Sequence, residues 1–350
     1  MDFKLMAILE AIVIIILLFV VAALRSPYPS NETSPTQTST SASTSTSTSS
    51  PANINYPLLS TTINSGYLAP QSFLIFNFGS LRDYLTQVVY SNNLDVSLYA
   101  LNLRDGSSFQ INGDTGAYPA SLNKIPVAVL VLNEIEKGQL SFDTPVSIDK
   151  SLFSNDTDPI YYQNSQLSVR TLLERMLQQS DNTAFKFLLA ETNVTDLNKL
   201  MDYYDIDAQH SYKYTSEADM ESNALLTPSS FSNMFSSLYY STILNANDSE
   251  YVLELLSNTT VSMNQLANVP NNVTIAHKWG YYSADNTSIF NDCGIMYIGN
   301  GRILYCASIR NQSIPASNGV IGGIVNSIYQ FFIGQSRTNS QFKQYLINSQ

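Results

Sequence analysis

The chain is poor in cysteine, histidine and charge. Its 350 residues include 2 Cys, 2 His and 1 Trp. Two cysteines exclude a disulfide-dense scaffold and any zinc module built on several thiolates. Lys and Arg total 17 against 28 Asp and Glu, a formal net charge of -11. A polyanion binder needs a basic face, so no nucleic acid is expected as a partner. Charged residues make up only 13% of the chain and hydrophobic ones 44%. The apolar fraction suits a protein with a full core and excludes disorder of the whole chain. The scarcity of charge implies a surface of neutral polar groups, and the sequence is crowded with Ser, Thr, Asn and Tyr. There is no G-x-S-x-G, no H-E-x-x-H and no complete G-x-G-x-x-G. No metal, nucleotide or other cofactor is therefore expected.

One long apolar run is present. Leu5 to Leu24 is interrupted only by Glu10. As a helix, about 20 residues cross roughly 30 Å of hydrocarbon. Val21-Ala22-Ala23 would also suit a signal peptide cut after Ala23. The run exceeds the usual ~7–15-residue apolar stretch of a cleaved signal, which favours a retained anchor. Lys4 and Arg25 flank it on both sides and give almost no orientation. Ser30 to Ser50 is nearly all Ser and Thr and carries no apolar periodicity, the composition of a linker or glycosylated stalk. The expected organisation is a transmembrane signal anchor over residues 1–25, a disordered stalk over 26–56 and a globular domain over 57–350.

An exterior location fits two further features. Asn-X-Ser/Thr acceptors occur at Asn31, Asn155, Asn193, Asn247, Asn258, Asn272, Asn286 and Asn311. Cys293 and Cys306 flank the hairpin signal Gly299-Asn300-Gly301. Pairing through that turn sets the cysteines opposite or diagonal on one sheet face, where a disulfide or two free core thiols are both open. The expected localisation is a single-pass cell-membrane protein with its globular domain outside the cytoplasm.

In the globular part, the patterning predicts a helix over Leu81 to Tyr90 and a hairpin of Asp95 to Leu103 with Ser108 to Ile111. Helical periodicity follows over Ile125 to Lys137, Leu167 to Gln179, Asn182 to Thr192, Val194 to Tyr204, Pro228 to Tyr240 and Glu250 to Ser257. Strands return at Val273 to Tyr281, Ile289 to Ile298 and Ile303 to Ile309, before a final helix from Gly319 to Ile333. Sequential hairpins favour antiparallel pairing. The fold class expected is α/β of the α+β type: a five-stranded antiparallel sheet flanked by helices, with a helical subdomain and a cleft between them.

Three short polar motifs lie at the edges of these elements. Ser121-Leu122-Asn123-Lys124 opens a helix, so serine and lysine share one face. An amine can take the proton of a hydroxyl that is otherwise a poor nucleophile, and a helix N-terminus suits a developing oxyanion. Ser180-Asp181-Asn182 joins two helical segments; by itself it reads as a capped turn. Lys278-Trp279-Gly280 lies inside a predicted strand, where a lysine is commonly an edge residue. His277 neighbours Lys278 and should leave the opposite face in a structural role.

Taken together, Ser-X-X-Lys, Ser-Asp-Asn and Lys-X-Gly resemble the signature set of class A β-lactamases and penicillin-binding proteins. The likeness covers roughly Asp95 to Ile333 and includes Tyr118-Pro119-Ala120-Ser121, Leu226-Thr227-Pro228 and His277-Lys278-Trp279-Gly280 with Asn291-Asp292-Cys293-Gly294-Ile295. These stretches look closest to the β-lactamase-related serine hydrolases. The resemblance implies that Ser121 is acylated and that Lys124 takes or relays its proton. It implies that Ser180 shuttles a proton to the leaving nitrogen, Asn182 holds the substrate amide and Asp181 fixes the turn. It gives Lys278 the role of supplying positive potential, and it implies an oxyanion hole from the N–H groups of Ser121 and Tyr281. Trp279, Gly280 and Tyr281 would flank the substrate. Two departures are visible. Trp279 replaces the family's Thr or Ser, removing a hydroxyl that helps hold a substrate carboxylate. The deacylating glutamate is not in its usual pattern, and Glu217 is assigned that place ahead of Glu221. The implied function is hydrolysis of a β-lactam or related amide. The alternatives are a D,D-peptidase or transpeptidase acting on peptide-like amides, and a catalytically decayed, glycosylated surface-binding protein.

Overall fold

The computed structural model describes residues 56–59, 77–204, 225–284 and 287–348. The anchor and nearly all of the stalk expected from the sequence lie outside these residues. Among the described residues no helix is long and apolar enough to cross a membrane.

Helix α1 (Gly79–Ser91) leads into strands β1 (Asp95–Asn102) and β2 (Ser108–Ile111). A 3-10 turn, Ala120–Asn123, opens helix α2 (Lys124–Glu136). Strand β3 (Pro145–Ser147), the short helix α3 (Ile160–Gln163) and strand β4 (Gln166–Ser168) follow. Helices α4 (Val169–Gln178), α5 (Asn182–Ala190), α6 (Val194–Tyr203), α7 (Pro228–Tyr239), α8 (Ala246–Ser257) and α9 (Met263–Ala267) fill the middle. The chain closes with β5 (Thr274–Ala284), β6 (Thr287–Ile298), β7 (Gly301–Arg310) and α10 (Ile314–Asn348).

Five strands form one antiparallel sheet in the order β2-β1-β7-β6-β5. The expected five-stranded sheet is thus present. The two-stranded β3-β4 sheet was not expected from the sequence, and it replaces the first turn of the helix predicted from Leu167. Three-residue strands show too little alternation to be read. Ser168 caps α4 by accepting from the Thr171 N–H at 3.2 Å, so the helix starts at Val169.

The main sheet is covered on both faces, and its period of two decides which residue meets which layer. Ile303, Tyr305, Ala307 and Ile309 of β7 join α1 and α10 in one apolar cluster. Leu304 and Cys306 join the other cluster, with α2 and the helical middle. Coverage of both faces explains why β6 and β7 are buried along nearly their whole length. Cys293 and Cys306 are direct cross-strand partners in β6 and β7, and they form a disulfide.

Helix α2 is the central pillar. Ile125, Val127, Ala128, Val131 and Leu132 are all fully buried. Burying one such side chain is worth about 1.5–3 kcal/mol, so the helix start that carries Ser121 is anchored in the core. The approach to that start is tied to the sheet. Ala117 pairs with Leu226 through two backbone hydrogen bonds of 2.9 Å. Asn291 donates to the Tyr118 carbonyl at 2.6 Å, and Arg310 donates to the carbonyls of Thr115 and Gly116 at 3.1 and 3.0 Å.

Candidate active site

Three elements bring the sequence motifs to one cleft. Ser121 sits on the 3-10 turn and Lys124 is the first residue of α2. Ser180 and Asn182 belong to the junction of α4 and α5, and Lys278 lies on β5. Ala120 and Ser180 both adopt left-handed backbone conformations, with φ of 50° and 58°. Non-glycine residues seldom do so, and here the tight turns that aim the two serines impose it.

The Lys124 amine is buried and lies within hydrogen-bond reach of three side-chain oxygens. It reaches Ser121 Oγ at 2.7 Å, Asn182 Oδ1 at 2.7 Å and Ser180 Oγ at 3.4 Å. Lys278 is fully buried and donates to Ser180 Oγ and the Trp279 carbonyl, each at 2.9 Å. Ser180 Oγ therefore bridges two lysines. Burial pushes the Lys278 amine well below the ordinary lysine range, and the neighbouring Lys124 charge adds to the effect. Asp292 opposes it through its negative charge. A buried lysine whose proton affinity is lowered, hydrogen-bonded to a serine, is suited to proton exchange.

Gly280 lies against the turn that carries Ser121. A Cβ there would stand 2.7 Å from Ser121 N, 3.0 Å from Ala120 Cβ and 3.2 Å from the Pro119 carbonyl. Only glycine lets β5 come this close, which brings the strand beside the Ser121 amide.

The cleft holds a cavity of about 580 Å³. Ser121, Lys124, Asn182 and Tyr281 line it. Tyr118 and Tyr282 pack their rings 4.3 Å apart at its wall. Trp279, expected beside the substrate, is not among the lining residues, and neither are Ser180, Lys278 and Gly280. The Trp279 ring stacks on Phe290, 6.3 Å between centroids, and packs with the α10-side cluster. The ring still stands close to the Ser180–Lys278 pair, with Lys278 Nζ 5.5 Å from the ring centroid. Alternation along β5 places His277 as expected. It is buried, with Nδ1 2.9 Å from Asp292 Oδ2, while Tyr305 donates to Asp292 Oδ1 at 2.8 Å. Asp181 acts as the N-cap of α5, accepting from Ala184 N at 3.0 Å, from Arg175 Nε at 2.9 Å and from Tyr161 at 2.8 Å. Glu217 and Glu221 lie outside the described residues.

Phe153, Asp156 and Lys186 also line the cavity and were not singled out from the sequence. Asp156 Oδ2 accepts from Asn182 Nδ2 at 3.0 Å. No group of His, Cys, Asp and Glu able to hold a metal occurs among the described residues.

A buried lysine bonded to a serine at a helix start, with a second Ser–Lys pair across a cleft, on a five-stranded α+β scaffold, defines a serine hydrolase of the β-lactamase-like class. Comparison with known proteins agrees. The family model described as the Beta-lactamase enzyme family matches residues 80–332. Beta-lactamase VEB-1 of Pseudomonas aeruginosa is 22% identical over 284 residues, covering 75% of this chain and 95% of that protein. The extended-spectrum β-lactamase PER-1 of Pseudomonas aeruginosa is 23% identical over 296 residues, covering 78% and 96%. Among solved structures, the TLA-3 extended-spectrum β-lactamase superposes with a TM-score of 0.66 at 18% identity, over 73% of this chain and 100% of that one. PBP-A gives a TM-score of 0.64 at 21% identity, over 73% and 97%. The chain belongs to the beta-lactamase enzyme family.

Proposed function

We propose that this protein is a membrane-tethered, exterior-facing enzyme that opens a β-lactam or related amide through an acyl-enzyme on Ser121. The observation that carries the reading is the pair of contacts at Ser121 and Ser180: Lys124 Nζ lies 2.7 Å from the first hydroxyl, and Lys278 Nζ 2.9 Å from the second. Lys124 in its neutral form accepts the Ser121 proton as Oγ attacks the carbonyl carbon. The Oγ–C bond forms, and negative charge moves to the carbonyl oxygen beside the Ser121 and Tyr281 amides. As the C–N bond breaks, Ser180 gives its proton to the leaving nitrogen and is reprotonated from the lysines it bridges. Asn182 holds the side-chain amide of the substrate, and Lys278 with Ser180 supplies the pull on a substrate carboxylate that the family's strand hydroxyl would otherwise share. Glu217 activates the water that releases the product.

The names of the relatives support this substrate class, being β-lactamases. A PBP-A variant is known as an acyl-enzyme complex with penicillin G. Tethering rests on the apolar run Leu5 to Leu24 and the Ser/Thr-rich segment after it. The Cys293–Cys306 disulfide supports an oxidising exterior, since such bonds are rare in reducing compartments.

Incubation with nitrocefin tests the reaction. Turnover lost in Ser121→Ala supports a lactamase. A single stoichiometric burst without turnover favours the peptidase alternative, and no reaction with either nitrocefin or a fluorescent penicillin opposes the enzymatic reading. Glu217→Gln is expected to convert turnover into a burst. Resistance of the full chain to carbonate extraction from membranes, with the domain open to external protease, tests the tether.

A further inference from the structure

The hydrogen bonds of Asn182 fix its side-chain amide at both ends. Lys124 holds Oδ1 at 2.7 Å, so the carboxamide cannot turn over, and Nδ2 donates one hydrogen to Asp156 Oδ2 at 3.0 Å. The second Nδ2 hydrogen is left for the carbonyl of a bound substrate. Two oxygens sharing one NH2 group, each about 3 Å away, stand roughly 5 Å from one another. Asp156 is thus a near neighbour of whatever is bonded to that carbonyl. It is the one carboxylate among the described residues lining the cavity. It is solvent-exposed, and among the described residues Oδ1 has no hydrogen-bond or ion-pair partner; Lys186 lines the same cavity without forming an ion pair with it.

A neutral acceptor would orient Asn182 equally well. A carboxylate adds a charge beside the position of the substrate carbonyl, and two oxygen acceptors so placed repel unless a cation lies between or next to them. We propose that Asp156 is a specificity-determining residue that selects substrates bearing a primary ammonium on the carbon next to the carbonyl bound by Asn182. The ligand class is an α-aminoacyl amide or an α-aminoacylated β-lactam. This inference rests on the acyl-enzyme reading of the site. Phe153, beside Asp156 on the cavity wall, gives an aryl group on the same carbon an apolar surface whether or not the amine is present.

Ampicillin and benzylpenicillin differ only by that amine, and carbenicillin has a carboxylate in its place. The test measures the second-order acylation rates of all three by intact-protein mass spectrometry, on the whole protein and on Asp156→Asn. Asparagine keeps the acceptor for Asn182 and removes the charge. The measurement is made at pH 6.5, below the ordinary α-amino range of about 7.7–8.0. The order expected in the parent is ampicillin, then benzylpenicillin, then carbenicillin. The ampicillin-to-benzylpenicillin ratio is expected to be about tenfold higher in the parent than in the variant, and the difference should shrink at high salt. Equal ratios in the two proteins, or a variant slowed equally toward all three compounds, would overturn the inference while leaving the acyl-enzyme reading intact. Absence of any adduct on either protein would overturn both.

Discussion

Gly280 and Ser121 touch backbone to backbone: a methyl group at the glycine would lie 2.7 Å from the serine nitrogen, inside any real van der Waals contact. The obstacle is main chain, which cannot swing away as a flexible side chain can. Gly280→Ala is therefore expected to push β5 off the Ser121 turn and disturb the Ser121 and Tyr281 amides proposed to face the developing oxyanion. Losing one such donor costs about 10²–10³ in rate. Acylation by a fluorescent penicillin should fall by that order, with far-UV circular dichroism unchanged. A variant acylated at the parental rate would show that the close approach has no catalytic role.

Lys278 should set an alkaline limit. Burial lowers its proton affinity, so its charge is lost below the ordinary lysine range as pH rises. Acylation that needs this cation should then decline on the alkaline side earlier than an ordinary lysine would allow. Arginine does not titrate there. The variant Lys278→Arg, expected to be slower at neutral pH, should lack the alkaline decline. A limb unchanged in the variant would assign it to another group.

Stability should rise on mild acidification. Burial raises the Glu250 carboxyl to about 7, although it accepts from the Leu58 N–H at 3.0 and 3.1 Å. Asp248 is raised to about 6, by burial and by the Glu136 carboxylate beside it. A raised acid binds more protons folded than unfolded between its ordinary and raised values. Its stabilisation is present below about pH 4.5 and is lost as pH climbs through 6 to 7. Glu250→Gln should flatten this slope in part, by an amount on the order of 2 kcal/mol across the window. Urea denaturation from pH 4.5 to 7.5 checks it, and a parent whose stability grows with pH throughout would refute the assignment.

The Cys293–Cys306 bond closes a loop with a sequence separation of 13. A link of that length stabilises by about 3 kcal/mol, chiefly by restricting the unfolded chain. Replacing both cysteines by alanine should lower the denaturation midpoint accordingly while leaving nitrocefin reactivity in place. A loss of reactivity without a loss of stability would point to a role in shaping the cleft.

Much of this architecture is legible in the sequence because its signals are local. Ser121 and Lys124 share a helix start, Asp181 is a side-chain cap, and Thr227 with Pro228 announces α7. The long strands show through their apolar content and the Gly299-Asn300-Gly301 turn. What is not legible depends on distance. Asp156 is a polar loop residue until α5 folds against it, because its partner Asn182 lies 26 positions on. Tyr118 and Tyr282 meet only when β5 reaches the loop before α2. Alternation along β5, applied to His277, assigns it correctly to the far side of the sheet. Trp279 is less legible, because its ring stacks on Phe290 and also lies 5.5 Å from Lys278 Nζ.

Ser121 Oγ is the atom proposed to become acylated. The most direct measurement is peptide mapping by mass spectrometry after brief exposure of the whole protein to benzylpenicillin and acid quenching. The expected result is one added penicillin on the peptide containing Ser121, absent from Ser121→Ala and strongly reduced in Lys124→Ala. An adduct on a different peptide, or one that persists undiminished in Ser121→Ala, would contradict it.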